Sequence, residues 1–379
     1  MPRPRMFALL VALTPSSAYA VDVISGRPDS GPWEQVSVRV GGFVQPRFDI
    51  EQADEAAGVD GDIGFSVSQA RFEFGGDLEG AAGSRLDAGW LLSVELMPEA
   101  RLNDAYVDLG VAGVPVSVRL GQLKAPTGRA FLTSDKYSLF PELAEMVEWI
   151  PTRDIGAMLH STLGRNHVEA EVGVFNGEGT NRLSNVNRHF LYVGRLVISP
   201  LGGPGTGREL IRDNDRLPRF SLGGSVHRNV IGDVGLEEGA LGLDGEFFLH
   251  WRWVNVQSEV LWRSVDYQDI AVSDYVQRGW YAQMGTFVAG VPWFQDHVAL
   301  MGRVEQGDSL FAAGVPAAGP TDPTQASRSV AFGGGLYAGR PWYTDVSDLR
   351  LVVTYTLKEE LEGFPIDDDR FDALVSMTF

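Results

Sequence analysis

Apolar and polar residues alternate with period two along nearly the whole chain, and nowhere is there an apolar run long enough to make a membrane helix. In "SRLDAGWLLSVEL", Leu86, Ala88, Trp90, Leu92, Val94 and Leu96 fall on one face of an extended strand. Arg85, Asp87, Ser93 and Glu95 fall on the other. The same alternation runs from "EQVSVRVGGFVQPRF" through "NDAYVDLG", "HVEAEVGVF" and "VNVQSEVLW" to the closing "RFDALVSMTF". About sixteen such segments, each roughly 9 to 13 residues, match the length of a tilted membrane strand and the even strand number of single-chain barrels.

A sheet with one apolar face can be covered or can face lipid. A soluble sandwich or propeller also alternates, but it does not require strands this long with charge along one face. In hydrocarbon every backbone donor needs a partner, so the sheet must close on itself. The expected fold is therefore all-β: a closed transmembrane antiparallel β-barrel of about sixteen strands, with long outer loops and short periplasmic turns.

The amino end supports that placement. "MPRPRMFALLVALTPSSAYA" has basic residues, a short apolar run and the A-x-A pattern Ala18-Tyr19-Ala20, the composition of an export signal. The expected organisation is a cleaved signal peptide at 1–20, a lead-in at 21–33 and the barrel at 34–379, in the bacterial outer membrane. A last strand ending on Phe379 fits a terminal aromatic in the interfacial girdle, and in this the chain resembles bacterial outer-membrane barrels, whose terminal aromatic the assembly machinery reads. Trp251, Trp253, Trp293, Trp342 and Tyr343 cluster at the inner turns, as a girdle would.

Long and short connections should then alternate. The outer set is 50–62, 97–101, 124–153, 177–187, 228–241, 266–277, 306–327 and 359–369. The inner turns are brief, near 76–83, 110–113, 164–167, 252–254, 291–296 and 340–346. "PLGGPGTGRELIRDNDRLP" is the exception, a long inner connection that alternation does not explain. The longest outer connection, "KAPTGRAFLTSDKYSLFPELAEMVEWIPTR" at 124–153, is too long to be structureless without a role. Folded inward it would narrow the lumen; packed on its neighbours it would be an outer lid.

Charge limits the partners. Lys+Arg 31 against Asp+Glu 50 gives 31 − 50 = −19, which argues against nucleic acid. There is no cysteine, so disulfides, thiolate metal sites and thiol nucleophiles are excluded. His160, His167, His189, His227, His250 and His297 form no H-x-x-x-H pair, "PIDDDR" lacks the spacing of a calcium loop, and no metal or other cofactor is expected. A barrel enzyme would need a nucleophile with a histidine base, and no G-x-S-x-G elbow is present. A purely structural or adhesive barrel would not need the long third loop.

Strand parity turns Arg39, Arg47, Arg71, Arg85, Arg119, Arg195, Arg263, Arg303 and Arg350 inward, with Glu73, Asp87, Glu95, Asp104, Asp108, Glu259 and Glu305. Glu169, Glu171, Asp244 and Glu246 share that parity. These charges are the expected pore lining, or else pairs that stiffen the wall. The excess negative charge concentrates in "EQADEAAGVDGD", "PELAEMVE", "DVGLEE" and "EELEGFPIDDD", all outer connections. An acidic vestibule favours cations over about 8 Å at physiological salt and could bridge lipopolysaccharide through divalent ions.

"GQLKAPTGRAF", "PTRDIGAML", "VGVFNGEG", "VGRLVISPLG" and "VQSEV" resemble, in that order, the phosphate-selective porin O and P family. The resemblance implies a sixteen-stranded outer-membrane channel for small hydrophilic solutes, usually a homotrimer, with the third outer loop folded into the pore. Carried over by position, it makes Lys124, Arg129 and Arg153 the candidates for the constriction. It also implies phosphate or other anions as solutes. This chain, however, has no R-x-R-x-R run and only Lys124, Lys136 and Lys358 as lysines, so a non-selective or cation-preferring channel is the alternative.

Overall fold

The structure is a computed structural model that describes residues 21–26, 35–52, 61–80, 85–164, 166–203, 207–211, 217–232, 238–267, 274–288, 297–311, 326–338, 349–361 and 368–379. The expected signal peptide, most of the acidic stretches near 55, 235 and 364, and Trp293, Trp342 and Tyr343 lie outside the described residues.

Strands β1 (Val21–Gly26), β2 (Gln35–Glu51), β3 (Ile63–Glu79), β4 (Leu86–Glu95), β5 (Arg101–Val111) and β6 (Val116–Lys124) open the chain. After a long connection come β7 (Arg153–Leu163), β8 (Val168–Phe175), β9 (Leu191–Ile198), β10 (Arg219–Ile231), β11 (Glu238–Trp251) and β12 (Val254–Tyr267). The last are β13 (Tyr275–Phe287), β14 (Val298–Phe311), β15 (Ser327–Ala338), β16 (Leu349–Glu360) and β17 (Arg370–Thr378). From β2 to β17 each strand pairs antiparallel with the next, and β17 returns to β2, so the sheet closes.

The seam also uses the expected lead-in. β17 pairs with β2 from Arg370 opposite Glu51 to Thr378 opposite Phe43. β1 takes up the same edge of β2 further down, from Val21 opposite Val40 to Gly26 opposite Val36. β17 and β1 therefore occupy successive lengths of one position, and the barrel is sixteen strands round. Residues 21–26 of the lead-in add to the wall along the length of β2 that β17 does not reach.

The outward face is apolar and exposed, with Val107, Leu120, Leu159, Val172, Val260 and Leu300 among its residues. The inward face carries the charges. Strand ends differ from expectation mainly between β10 and β11, where pairing continues to Ile231 and Glu238 and shortens the 228–241 connection. Apolar packing occurs inside the barrel, between the 125–152 connection and β12 to β16.

Candidate channel and its constriction

The connection between β6 and β7 folds inward because its composition demands cover. It contributes Phe131, Leu139, Phe140, Met146, Val147 and Ile150, all buried. Each side chain of this size gains roughly 1.5–3 kcal/mol on leaving water. Pro126, Pro141 and Pro151 limit it to short pieces: a helix α1 (Arg129–Leu132) and 3-10 turns at Asp135–Tyr137 and Glu145–Trp149.

The wall beneath is shaped for it. Ala130, Phe131, Ala144, Met146, Val147 and Ile150 pack on Leu261 of β12 and Tyr281 of β13. Leu139 and Phe140 pack on Met301, Ala331 and Val352 of β14 to β16. At Gly279 of β13 and Gly307 of β14 a Cβ would lie 2.9 Å from the Trp149 ring, so only glycine leaves room for that indole. These inward apolar and glycine positions were not foreseen. Their one signal is that in "EVLW" and "HVALMG" both strand faces are apolar.

Polar tethers hold the connection from several sides. Asp135 takes the Arg71 guanidinium at 2.7 Å, and Lys136 meets Glu73 at 3.1 Å, both on β3. Glu142 pairs with Arg47 of β2 at 2.5 Å, and Arg303 of β14 donates to the Glu142 carbonyl at 2.7 Å. The Ala130 N–H donates to Glu259 of β12 at 2.6 Å, and the Glu145 N–H to Glu305 of β14 at 3.2 Å. Arg350 of β16 donates to the carbonyls of Ser138 and Asp135. The loop thus spans the lumen from wall to wall. Burial alone would raise the Asp135 carboxyl, but the charges of Arg71, Lys124 and Arg153 and the Arg71 hydrogen bond bring it well below the usual carboxylate range.

The three expected constriction residues have different places. Lys124 turns its ammonium back to the loop, donating to the carbonyls of Phe131 and, at 3.0 Å, Thr133. Arg129 is 1% exposed, lies 4.0 Å over the Phe248 ring and donates to Gln257 at 3.3 Å. The expectation that Arg129 faces the channel is corrected: α1 points it into the β11–β12 wall, where the Phe248 face and Gln257 receive it. Arg153 pairs with Asp104 at 3.1 Å where the loop rejoins the wall.

The expected pore lining divides the same way. Arg47, Arg71, Arg303, Arg350, Glu259 and Glu305 are buried under the loop and anchor it instead of lining open water. Glu95 pairs with Arg71 at 3.3 Å, and Asp108 receives Arg119 at 2.6 Å and His160 at 2.9 Å. Arg263 pairs with Glu238 at 3.0 Å, and Arg39 with Asp77 at 2.6 Å. Arg85 is exposed at the inner rim, and Asp87 accepts the Gly80 N–H at 3.2 Å. Charged side chains that keep some contact with water include Glu73, Asp77, Arg119, Glu169 and Glu171 on β3 to β9, the last 22% exposed, and Arg39, Glu238 and Arg370 elsewhere round the wall.

The family model for phosphate-selective porin O and P matches residues 38–215. Over that stretch the chain is similar to that family. The matched part includes the inward-folded 125–152 connection, most of β2 and all of β3 to β9. Among solved structures, this chain is similar to an anion-selective porin from Comamonas acidovorans, at 12% identity over 90% of this chain and 99% of that one, TM-score 0.60. It is similar to the outer-membrane channel DcaP of Acinetobacter baumannii, at 12% identity over 94% and 100%, TM-score 0.60. It is also similar to OmpT of Vibrio cholerae in its trimer form, at 10% identity over 91% and 99%, TM-score 0.60. At these identities the structural likeness bears on fold alone. No curated protein matches the chain. A closed barrel with a polar interior, together with the family match over 38–215, supports an outer-membrane channel.

Proposed function

We propose that this porin passes small hydrophilic solutes by passive diffusion, with a preference for cations. The observation that carries the preference is the arrangement around Arg195. Arg195 serves Glu246 at 2.7 Å, Glu171 at 2.9 Å and Glu169 at 4.0 Å, and with Arg129 as the other nearby cation three carboxylates face two guanidinium groups, so this stretch of wall keeps excess negative charge. Arg39, Arg47, Arg71, Arg119, Arg263 and Arg303 each have a carboxylate neighbour, which leaves little positive charge for a passing anion. In a narrow lumen, rings of charged side chains set ion preference. The acidic outer connections add to the same bias.

An anion preference is the second reading. It draws on the family description and on the anion-selective porin of similar fold, with Arg153, Arg119 and Lys124 as the cationic side of the narrowing. Reversal potentials across a planar bilayer in a salt gradient decide between the two. A potential of cationic sign supports the first reading, and one of anionic sign the second. No discrete conductance steps at all would remove both.

The chain acts as a channel and not as an enzyme, and it sits in the bacterial outer membrane after removal of residues 1–20. Its partners are outer-membrane lipid and lipopolysaccharide, with the assembly machinery engaging the strand that ends on Phe379. A homotrimer is the assembly we infer, supported by the family resemblance and by the trimer form of the similar OmpT.

A further inference from the structure

The inner connection between β9 and β10, residues 199–218, is far longer than a reversal of antiparallel strands requires. Two residues suffice between β11 and β12. Its described segment 207–211 does not stay at the periplasmic rim. Glu209 is 4% exposed, inside the lumen, and it meets the constriction loop. Its carboxylate accepts the Leu139 N–H at 2.5 Å and the Gln257 side-chain N–H of β12 at 3.3 Å. Its own N–H donates to the Tyr137 carbonyl at 3.4 Å.

Its neighbours add to the contact. The Arg208 guanidinium lies 4.5 Å from the Tyr137 ring centroid. Leu210 packs on the Leu139 and Phe140 cluster, and a Cβ at Gly285 would lie 2.9 Å from both Leu139 and Leu210. Asn255 of β12 accepts the Ile211 N–H at 3.2 Å. A small cavity between the two connections is lined by Lys136, Tyr137, Arg208, Leu210, Arg350 and Ser376.

Placing a carboxylate inside the barrel costs free energy unless donors meet it, and here two do so from different elements. That is the pattern of a built contact, reached from the periplasmic side by the inner connection and from the outer side by the loop. The two connections pack side by side on the inner face of β12 to β16.

We propose that residues 207–211 are a second constriction element, latched to the third outer loop by Glu209 as a positioning residue, and that the latch sets the conducting width of the pore. The proposal rests on the channel reading above and is tested so that the two fail separately. The chain has no cysteine, so Leu139→Cys with Leu210→Cys gives a clean cross-linking pair. In the detergent-folded or vesicle-inserted full chain, oxidation should join the pair, and the oxidised channel should conduct as the parent does. Glu209→Ala should raise single-channel conductance by about twofold or make it flicker as the loop loses its lower support. Glu209→Gln keeps an acceptor for the Leu139 N–H and should restore the parent value.

Folding of each variant is read from its heat-dependent gel mobility. A folded double-cysteine chain that does not cross-link overturns the latch. So does a folded Glu209→Ala channel indistinguishable from the parent, or a Gln variant no better than the Ala one. If instead the parent is silent in the bilayer, the channel reading fails, and the cross-link alone still reports whether the two connections meet.

Discussion

The backbone of Phe379 exchanges two hydrogen bonds with Gly42: its N–H reaches the Gly42 carbonyl at 3.0 Å, and the Gly42 N–H returns to its carbonyl at 2.9 Å. This pair closes the seam where β17 stops and before β1 begins. A Cβ at Gly42 would lie 2.3 Å from the Arg71 carbonyl and 3.0 Å from the Phe379 ring. Gly42→Val should therefore cost about 1–3 kcal/mol and reduce the yield of closed barrel. Heat-dependent gel mobility measures it, and parent-like yield and urea midpoint would contradict the seam described.

Lys124 supports the loop through the Phe131 and Thr133 carbonyls. Lys124→Met should leave those carbonyls short of a donor, at about 1–3 kcal/mol. Proteolysis within 125–152 should quicken while the reversal potential stays close to the parent's. A large shift towards cations with the loop still protected would show that this ammonium lines the passage after all.

Glu169 and Glu171 share Arg195 with Glu246. Neutralising both, as Glu169→Gln with Glu171→Gln, should lower the cation-to-anion permeability ratio by about twofold or more. Reversal potentials in a salt gradient read this directly. An unchanged ratio would place the selective charges elsewhere.

Asp135 is held below its ordinary value of 3.8 by Arg71, Lys124 and Arg153 against the cost of its burial. Its folded-state value is depressed, so its contribution to loop docking is complete above about 3.8 and is lost as pH falls from there through the depressed value. Channel noise should grow on acidification in that range. Asp135→Asn should be noisy already at neutral pH and lack the acid dependence. If both proteins gave the same acid profile, another group would be responsible.

The strands were legible from sequence because lipid outside and water inside impose opposite polarity on neighbouring residues. Arg71 against Phe72, or Asp108 against Val107, is enough to orient β3 and β5. The interior was much less legible. Leu261, Tyr281 and Met301 face inward yet are apolar, because they meet a loop that comes from over a hundred residues away in the chain. Glu209 and Leu139 are separated by 70 positions, and no local pattern marks their contact.

By itself the sequence determined a closed, lipid-facing sheet, since a ribbon with one greasy face and unpaired edges has no other stable arrangement in hydrocarbon. Only the tertiary structure decided which inward charges reach water. Arg47, Arg303 and Arg350 have the same strand parity as Arg119, but a loop tethered across the lumen covers them and leaves Arg119 partly exposed. Parity is a property of one strand, whereas access to solvent depends on what the rest of the chain lays over it.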